Sequence, residues 1–151
     1  MSRYLGIDYG TRRIGLAISD GLGLTARPLE VVARRALTGV VLRIADEYDI
    51  EGVVVGLPTG LSGEEGPSAR AARALGEEIE EVLGVSVTYM DERFTSRIAE
   101  GALLESGMPR RDRKETVDKV AAAIILQSYL DAHRQDGNST QRTDVERPET
   151  Q

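Results

Sequence analysis

The run Gly52-Val53-Val54-Val55-Gly56 gives any strand it forms an apolar side chain on each face. A strand with no polar face must lie inside a sheet that is covered on both sides. Helical patterns flank the run. Leu37, Val41, Ile44 and Tyr48 recur at helical spacing before it, and Ala72, Leu75, Ile79 and Leu83 form a buried stripe after it, in a helix from about Ser68. Gly84 suits the C-terminal cap of that helix, and Val85 to Met90 makes a further strand. Three strands come earlier. Arg3 to Tyr9 is a buried strand, Arg13 to Ser19 alternates Ile14, Leu16 and Ile18 against Gly15, Ala17 and Ser19, and Ala26 to Ala33 follows. Gly10-Thr11-Arg12 and Asp20-Gly21 are the turns between them. Pro28 marks the third strand as an edge strand.

Beyond the fifth strand, Thr95 or Ser96 can cap a helix holding Ile98, Ala102 and Leu103, which ends at Gly107-Met108-Pro109. Arg110 to Lys114 is a basic loop, and a long helix follows with Val117, Val120, Ala121, Ile124 and Leu130 toward the core. The order is β-β-β-α-β-α-β-α-α, three antiparallel strands and then two crossovers to parallel strands. Residues 1–134 are expected to form one domain. Residues 135–151 lose apolar periodicity and are expected to be a disordered tail.

Composition limits the chemistry. The chain of 151 residues has no cysteine and a single histidine, His133, so thiolate sites and histidine-based zinc sites are excluded. Any metal must be held by oxygen, which favours Mg²⁺ or Mn²⁺. No leader of the basic-then-apolar kind and no apolar run of membrane-spanning length is readable, so no membrane partner and a cytoplasmic location are the expectations. The net charge of −6 argues mildly against a nucleic-acid partner. Part of it sits in the tail, where Asp136, Asp144, Glu146 and Glu149 face only Arg142 and Arg147, and bound cations offset clustered acids locally.

Three acidic positions stand out. Asp8 closes the first strand behind apolar residues, where an isolated carboxylate would be costly unless paired, hydrogen-bonded or bound to metal; the competing role is a turn acid. Asp91 and Glu92 follow the last strand, at the end of an α/β sheet where ligands gather; the competing role is a solvated loop acid or helix cap. Asp118 shares a largely apolar helix face with Ala122 and Ile125; the competing role is a helix-dipole partner. One fold accounts for all three by letting them converge on two Mg²⁺ or Mn²⁺ ions about 4 Å apart.

At this level of detail the chain resembles the YqgF (RuvX) family. The stretch Gly6-Ile7-Asp8-Tyr9-Gly10-Thr11-Arg12-Arg13-Ile14-Gly15-Leu16-Ala17-Ile18-Ser19-Asp20 is similar to the family's opening motif. So are Val55-Gly56-Leu57-Pro58 with Gly60 and Gly63, Asp91-Glu92-Arg93-Phe94-Thr95-Ser96, and Lys114 through Asp118 to Ala122 with Ile125-Leu126-Gln127. The resemblance covers residues 3 to 131. It implies an RNase H-like mixed five-stranded sheet of order 3-2-1-4-5, with strand 2 antiparallel, flanked by helices. It also implies a nuclease acting on structured RNA, branched DNA or both, with links to Holliday-junction resolution and to 5′-end processing of pre-16S rRNA. By motif position Asp8, Glu92 and Asp118 are the catalytic acids and metal ligands, with Asp91 an alternative or added ligand. Many RNase H-like nucleases end the fourth strand in an acid; here it ends in Gly56-Leu57-Pro58.

Phosphate contacts come mainly from Lys and Arg, and the candidates are Arg12, Arg13, Arg93, Arg97, Arg110, Arg111, Arg113 and Lys114, Arg93 first because it adjoins the acids. Two competing functions share the fold. One is a nucleotide-binding domain of the actin/sugar-kinase type, which Asp8-Tyr9-Gly10 fits but which needs two such domains. The other is a non-catalytic nucleic-acid-binding module. Either a monomer or a homodimer is compatible with the sequence; paired cuts in a junction would need the dimer.

Overall fold

The computed structural model of the protein describes residues 2–10, 12–58, 66–91, 117 and 119–133. Strands β1 (Arg3–Asp8), β2 (Arg13–Ser19), β3 (Ala26–Ala33), β4 (Ile50–Leu57) and β5 (Ser86–Asp91) make one five-stranded sheet in the order β3-β2-β1-β4-β5. β1–β2 and β2–β3 are antiparallel, while β1–β4 and β4–β5 are parallel. The expected strand order and the antiparallel second strand are therefore what the protein has. β3 is an outer strand, and Pro28 pairs with Ala17 where the register shifts after Leu16. An irregular edge is where a residue without an N–H is tolerated.

The two sheet faces are covered differently. Helix α1 (Leu37–Glu47), entered through a short 3₁₀ turn at Arg34–Ala36, and helix α2 (Pro67–Leu83) cover one face. There Leu5, Ile7, Ile14, Leu16, Ile18, Val53 and Val55 pack against Leu37, Val41, Ile44, Leu75 and Ile79. α2 starts with Pro67 in its first turn and ends at Gly84, whose φ of 68° is the left-handed cap conformation expected there. The other face carries a third described helix, α3, over 119–133 with residue 117 also helical. Its Ala122, Ala123, Ile125, Leu126 and Leu130 pack against Ala17 and Val54. The alternation of each strand thus separates into two apolar layers, as the all-apolar β4 requires.

Two details depart from the sequence reading. Asp20-Gly21 does not make a two-residue turn. The connection runs to Thr25, closed by Asp20 N–H to the Thr25 carbonyl at 3.0 Å, and the residue with positive φ is Gly23. The Asp20 carboxylate accepts the Leu24 N–H at 2.8 Å and so builds a wider loop. In α3, Ala121 and Leu130 are buried as expected, while Val117, Val120 and Ile124 are only half-buried and Ala122, Ile125 and Leu126 join the core. α3 packs closely on Gly6 through Ala122 and Leu126, which brings those two residues into the core. The separate helix expected around Ile98 to Leu103 and the tail at 135–151 lie outside the described residues.

Candidate active site

The C-terminal ends of the parallel strands β1, β4 and β5 define one rim of the sheet. Asp8 closes β1 on this rim and is half-buried. The β1–β2 turn that follows is tight: a Cβ on Gly10 would overlap the Arg13 carbonyl. It brings Arg12, exposed, and Arg13, half-buried, back to the same rim. Asp91 closes β5 there too, two strands away, or about 10 Å at the usual strand spacing.

Register decides which face each acid takes, because paired residues on adjacent strands point to the same side. Asp8 pairs with Gly15 of β2 and with Gly56 of β4. Its row is offset by one from Ile7, Leu16 and Val55 of the α1/α2 layer, so Asp8 lies on the α3 face. Asp91 pairs with Leu57, and two steps back Tyr89 pairs with Val55, both packed in the α1/α2 layer. Asp91 is therefore on the opposite face from Asp8. Arg13 alternates with Ile14 and belongs to the Asp8 face.

α3 runs antiparallel to β1 across this face. At the start of β1, Tyr4 packs on Tyr129 with ring centroids 5.3 Å apart, and on His133 at 6.4 Å. Two residues on, a Cβ built on Gly6 would lie 2.8 Å from Leu126 Cβ and 3.1 Å from the Ala122 carbonyl oxygen. The same progression carries the first turn of α3, around Val117 and Lys119, over the Asp8 end of the strand. Small residues allow this approach, since the face offers Gly6, Gly15, Ala17 and Gly56 where the other offers Leu and Ile.

Asp8, Asp91, Arg12 and Arg13 are thus brought to one rim, with Asp91 turned to the other layer. Glu92, Asp118, Arg93, Arg97, Arg110, Arg111, Arg113 and Lys114 lie outside the described residues. Among the described residues no group of three or more His, Cys, Asp or Glu side chains is assembled to hold a metal ion. The donors the rim does present are carboxylate oxygens. That chemistry suits hard cations, and the only histidine sits at the far end of α3, stacked on Tyr129. At that far end burial pushes Tyr4 up to about 12, with Tyr129 and Glu51 adding to the shift. Tyr4 stays protonated at neutral pH and is no proton acceptor there.

Two residues matter more than their sequence context suggested. Ser19 is fully buried and accepts the Tyr4 N–H at 2.8 Å, holding the start of β1. Gln127 of α3 accepts the Ala26 N–H at 2.8 Å and donates to the Leu24 carbonyl at 2.9 Å, tying the helix to the β2–β3 loop. Its place at the end of a family motif was a signal, but nothing in the local pattern named the partners.

Comparison with known proteins agrees with this geometry. The RuvX family model, described as Holliday junction resolvase, matches residues 2–132. A Lactococcus lactis protein described as a candidate pre-16S rRNA nuclease is 42% identical over 137 residues, covering 87% of this chain and 96% of its own. One from Clostridium beijerinckii with the same description is 46% identical over 132 residues, 85% of this chain and 96% of its own. Among solved structures, Thermus thermophilus RuvC in complex with a Holliday junction substrate aligns with a TM-score of 0.57 at 20% identity, over 89% of this chain and 97% of its own. The fowlpox virus resolvase with Holliday junction DNA aligns with a TM-score of 0.52 at 12% identity, over 86% and 97%. At these identities the two structures speak to the fold.

Proposed function

The chain belongs to the RuvX family, and on that premise we propose that it is a nuclease that hydrolyses phosphodiester bonds in structured nucleic acid. The observation that carries the reading is the placement of Asp8, on the sheet rim and on the face over which α3 brings its first turn. The nucleotide-binding and non-catalytic alternatives draw no support from relatives that are described as nucleases and match this chain over nearly their whole length.

In this reading Asp8, Glu92 and Asp118 hold divalent cations, Mg²⁺ or Mn²⁺. Strand alternation favours Glu92 over Asp91. Asp91 takes the α1/α2 side, away from Asp8. In sequence Asp118 is four residues before Ala122, whose carbonyl oxygen lies against Gly6 of β1. Divalent cations held by these residues would supply the charge that activates the attacking water and offsets the leaving oxygen. The water oxygen bonds to phosphorus, the bond from phosphorus to the 3′ oxygen breaks, and the proton released by water ends on that 3′ oxygen. The products are a 5′-phosphate and a 3′-hydroxyl. Arg12 and Arg13, with Arg93, Arg97, Arg110, Arg111, Arg113 and Lys114, bind flanking phosphates.

The relatives' descriptions favour precursor 16S rRNA as substrate, and the family description gives junction DNA as the second arm. Residues 1–134 are the catalytic domain in this reading and 135–151 a tail. Among the described residues no helix is long and apolar enough to cross a membrane, and the proposed place of action is the cytoplasm. A monomer suffices for single cuts in RNA; symmetric paired cuts would assign a homodimer. The test is cleavage of labelled structured RNA and four-way DNA junctions with Mg²⁺, Mn²⁺ or EDTA. Cleavage dependent on the cation and abolished by Asp8→Asn supports the assignment; activity that persists in EDTA or in the variant refutes it.

A further inference from the structure

The net charge of −6 conceals a polarity along the strands. β3 runs parallel to β1, since both pair antiparallel with β2, so its end at Ala33 reaches the Asp8 rim, where Ala33 pairs with Arg13. Arg34 and Arg35 follow directly, in the 3₁₀ turn that enters α1. α2 begins at the same rim. Tyr89, near the end of β5, lies against Gly76 and donates to the Arg73 carbonyl at 3.1 Å, so Arg70, a turn earlier in α2, is level with the end of the sheet. Arg12, Arg13, Arg34, Arg35, Arg70 and Arg73 therefore share the Asp8 end. At the opposite end, acids gather: Asp46, Glu47, Asp49 and Glu51 around the α1–β4 connection, and Glu80 and Glu81 in the last turn of α2. The arginines of that end, Arg3 and Arg27, both lie against Tyr48. Charge of one sign gathered at one end makes a local field that the net charge does not report.

The cations on the α1/α2 side differ in what holds them. Arg34 donates to Glu78 at 2.9 Å, and Thr38 donates to the same carboxylate at 3.1 Å. This carboxylate offsets the Arg34 charge and locks the 3₁₀ turn onto α2. Arg73 lies over the Tyr89 ring, 4.9 Å from its centroid. Arg35 and Arg70 are exposed, and among the described residues neither has an ion pair. The Arg34–Glu78 pair thus fixes the turn that carries Arg35 against the helix that carries Arg70. Asp8 faces α3, whereas α1 and α2 cover the other face, about 10 Å from the sheet at the usual spacing of packed layers. The grooves between the two backbones of B-form DNA are about 6–12 Å wide. A duplex laid over the rim can therefore present one backbone to Asp8 and the other to the α1/α2 side. We propose that Arg35 and Arg70 bind this second backbone, the strand or arm that is not being cut. The inference rests on the nucleic-acid part of the proposed function, adds two phosphate contacts to those named above, and assigns a preference for double-stranded over single-stranded substrate.

The experiment uses the full chain with both Arg35→Gln and Arg70→Gln, the same pair changed to Lys, and Arg27→Gln as a control at the opposite end. Affinity is measured in EDTA over a range of salt, for hairpin RNA, junction DNA and unstructured single strands of each. For the double Gln variant, affinity for the paired substrates should fall about fivefold or more, and the slope of log affinity against log salt should shrink by about 1–2, since each lost phosphate contact removes about 0.9 on B-form DNA. Its affinity for single strands should stay within about twofold of wild type, the Lys pair should retain the wild-type slope, and Arg27→Gln should match wild type throughout, as expected for contacts set by local charge. Melting temperatures should be unchanged, because the substituted side chains are exposed. A double Gln variant with wild-type affinity and slope on paired substrates overturns the proposal. So does an equal loss on single strands, or an equal loss in Arg27→Gln. A wild type that binds these substrates but cleaves none of them with Mg²⁺ or Mn²⁺ fails the nuclease reading alone, because the inference is judged on binding without cation.

Discussion

Gly6 of β1 and Leu126 of α3 meet with no room for a methyl group: a Cβ on Gly6 would stand 2.8 Å from the Leu126 Cβ. The neighbour on the other side of the gap is the Ala122 carbonyl oxygen at 3.1 Å, which is helix backbone and cannot rotate away. The contact therefore sets how close α3 lies to the strand that carries Asp8. Gly6→Ala should push the helix outward and destabilise the protein by about 1–3 kcal/mol, the usual range for overpacking. Thermal denaturation checks this. A variant as stable as wild type would mean that α3 is not seated on β1 as described.

A second prediction follows from the faces of the two neighbouring acids. Asp91 shares the side of Leu57 and Tyr89, away from Asp8. Asp91→Asn should therefore keep most of the cleavage rate, within about fivefold, while Glu92→Gln should lose on the order of a hundredfold or more, as expected when a charge held next to the reacting group is removed. Single-turnover rates at fixed Mn²⁺ separate the two. The reverse order would place the working carboxylate on Asp91 and reject the alternation argument.

The same pair shows how far the sequence could be read. The apolar run Val53 to Val55 demands a strand covered on both faces, and the alternation of Ile14, Leu16 and Ile18 assigns the sides of β2 without any coordinates. Five strands and their order are legible because burial patterns have a short period and adjacent turns are strongly marked. Choosing between Asp91 and Glu92 is different. It depends on which residue of β4 Asp91 pairs with, and pairing across a parallel crossover leaves no local mark in either strand. In α3 hydropathy named Ala121 and Leu130 correctly but not Leu126, whose burial depends on the close approach to Gly6.

Acid sensitivity should map partly to the β2–β3 loop. The Leu24 N–H, and then the Thr25 N–H and hydroxyl, donate to the Asp20 carboxylate and hold its pKa below the ordinary 3.8. A folded-state pKa below the unfolded value contributes stability that is present above the unfolded pKa and lost as pH falls through the folded one. Asp20→Asn should therefore melt lower than wild type at neutral pH, and the gap should close as pH drops below about 3.8. Melting curves across pH 2 to 7, a range chosen around the carboxylate values, provide the check. A gap that is constant over this range would show that the carboxylate charge has no part in holding the loop.

Gln127 connects that loop to the helix above Asp8. Its Oε1 accepts the Ala26 N–H at 2.8 Å, and its Nε2 donates to the Leu24 carbonyl at 2.9 Å and to Asp131 Oδ1 at 3.0 Å. One side chain thus satisfies two backbone groups 101 and 103 residues away in sequence. Gln127→Ala leaves the part-buried Ala26 N–H without its partner and the exposed Leu24 carbonyl to water, at a cost of about 1–3 kcal/mol. Because α3 packs against the strand that carries Asp8, a looser anchor at 127 should reach the proposed site as lowered cleavage without a change in the Asp8 carboxylate itself. Gln127→Glu offers the decisive comparison: it retains an acceptor for Ala26 N–H but loses the donor to Leu24, and the new charge faces Asp131 one turn on. It should be less stable than wild type at neutral pH and recover as pH is lowered and the new carboxyl is protonated. Hydrogen exchange at the Ala26 amide, fast in Gln127→Ala and slower in Gln127→Glu, would trace the defect to this contact; equal protection in all three proteins would remove Gln127 from the account of how the helix is held.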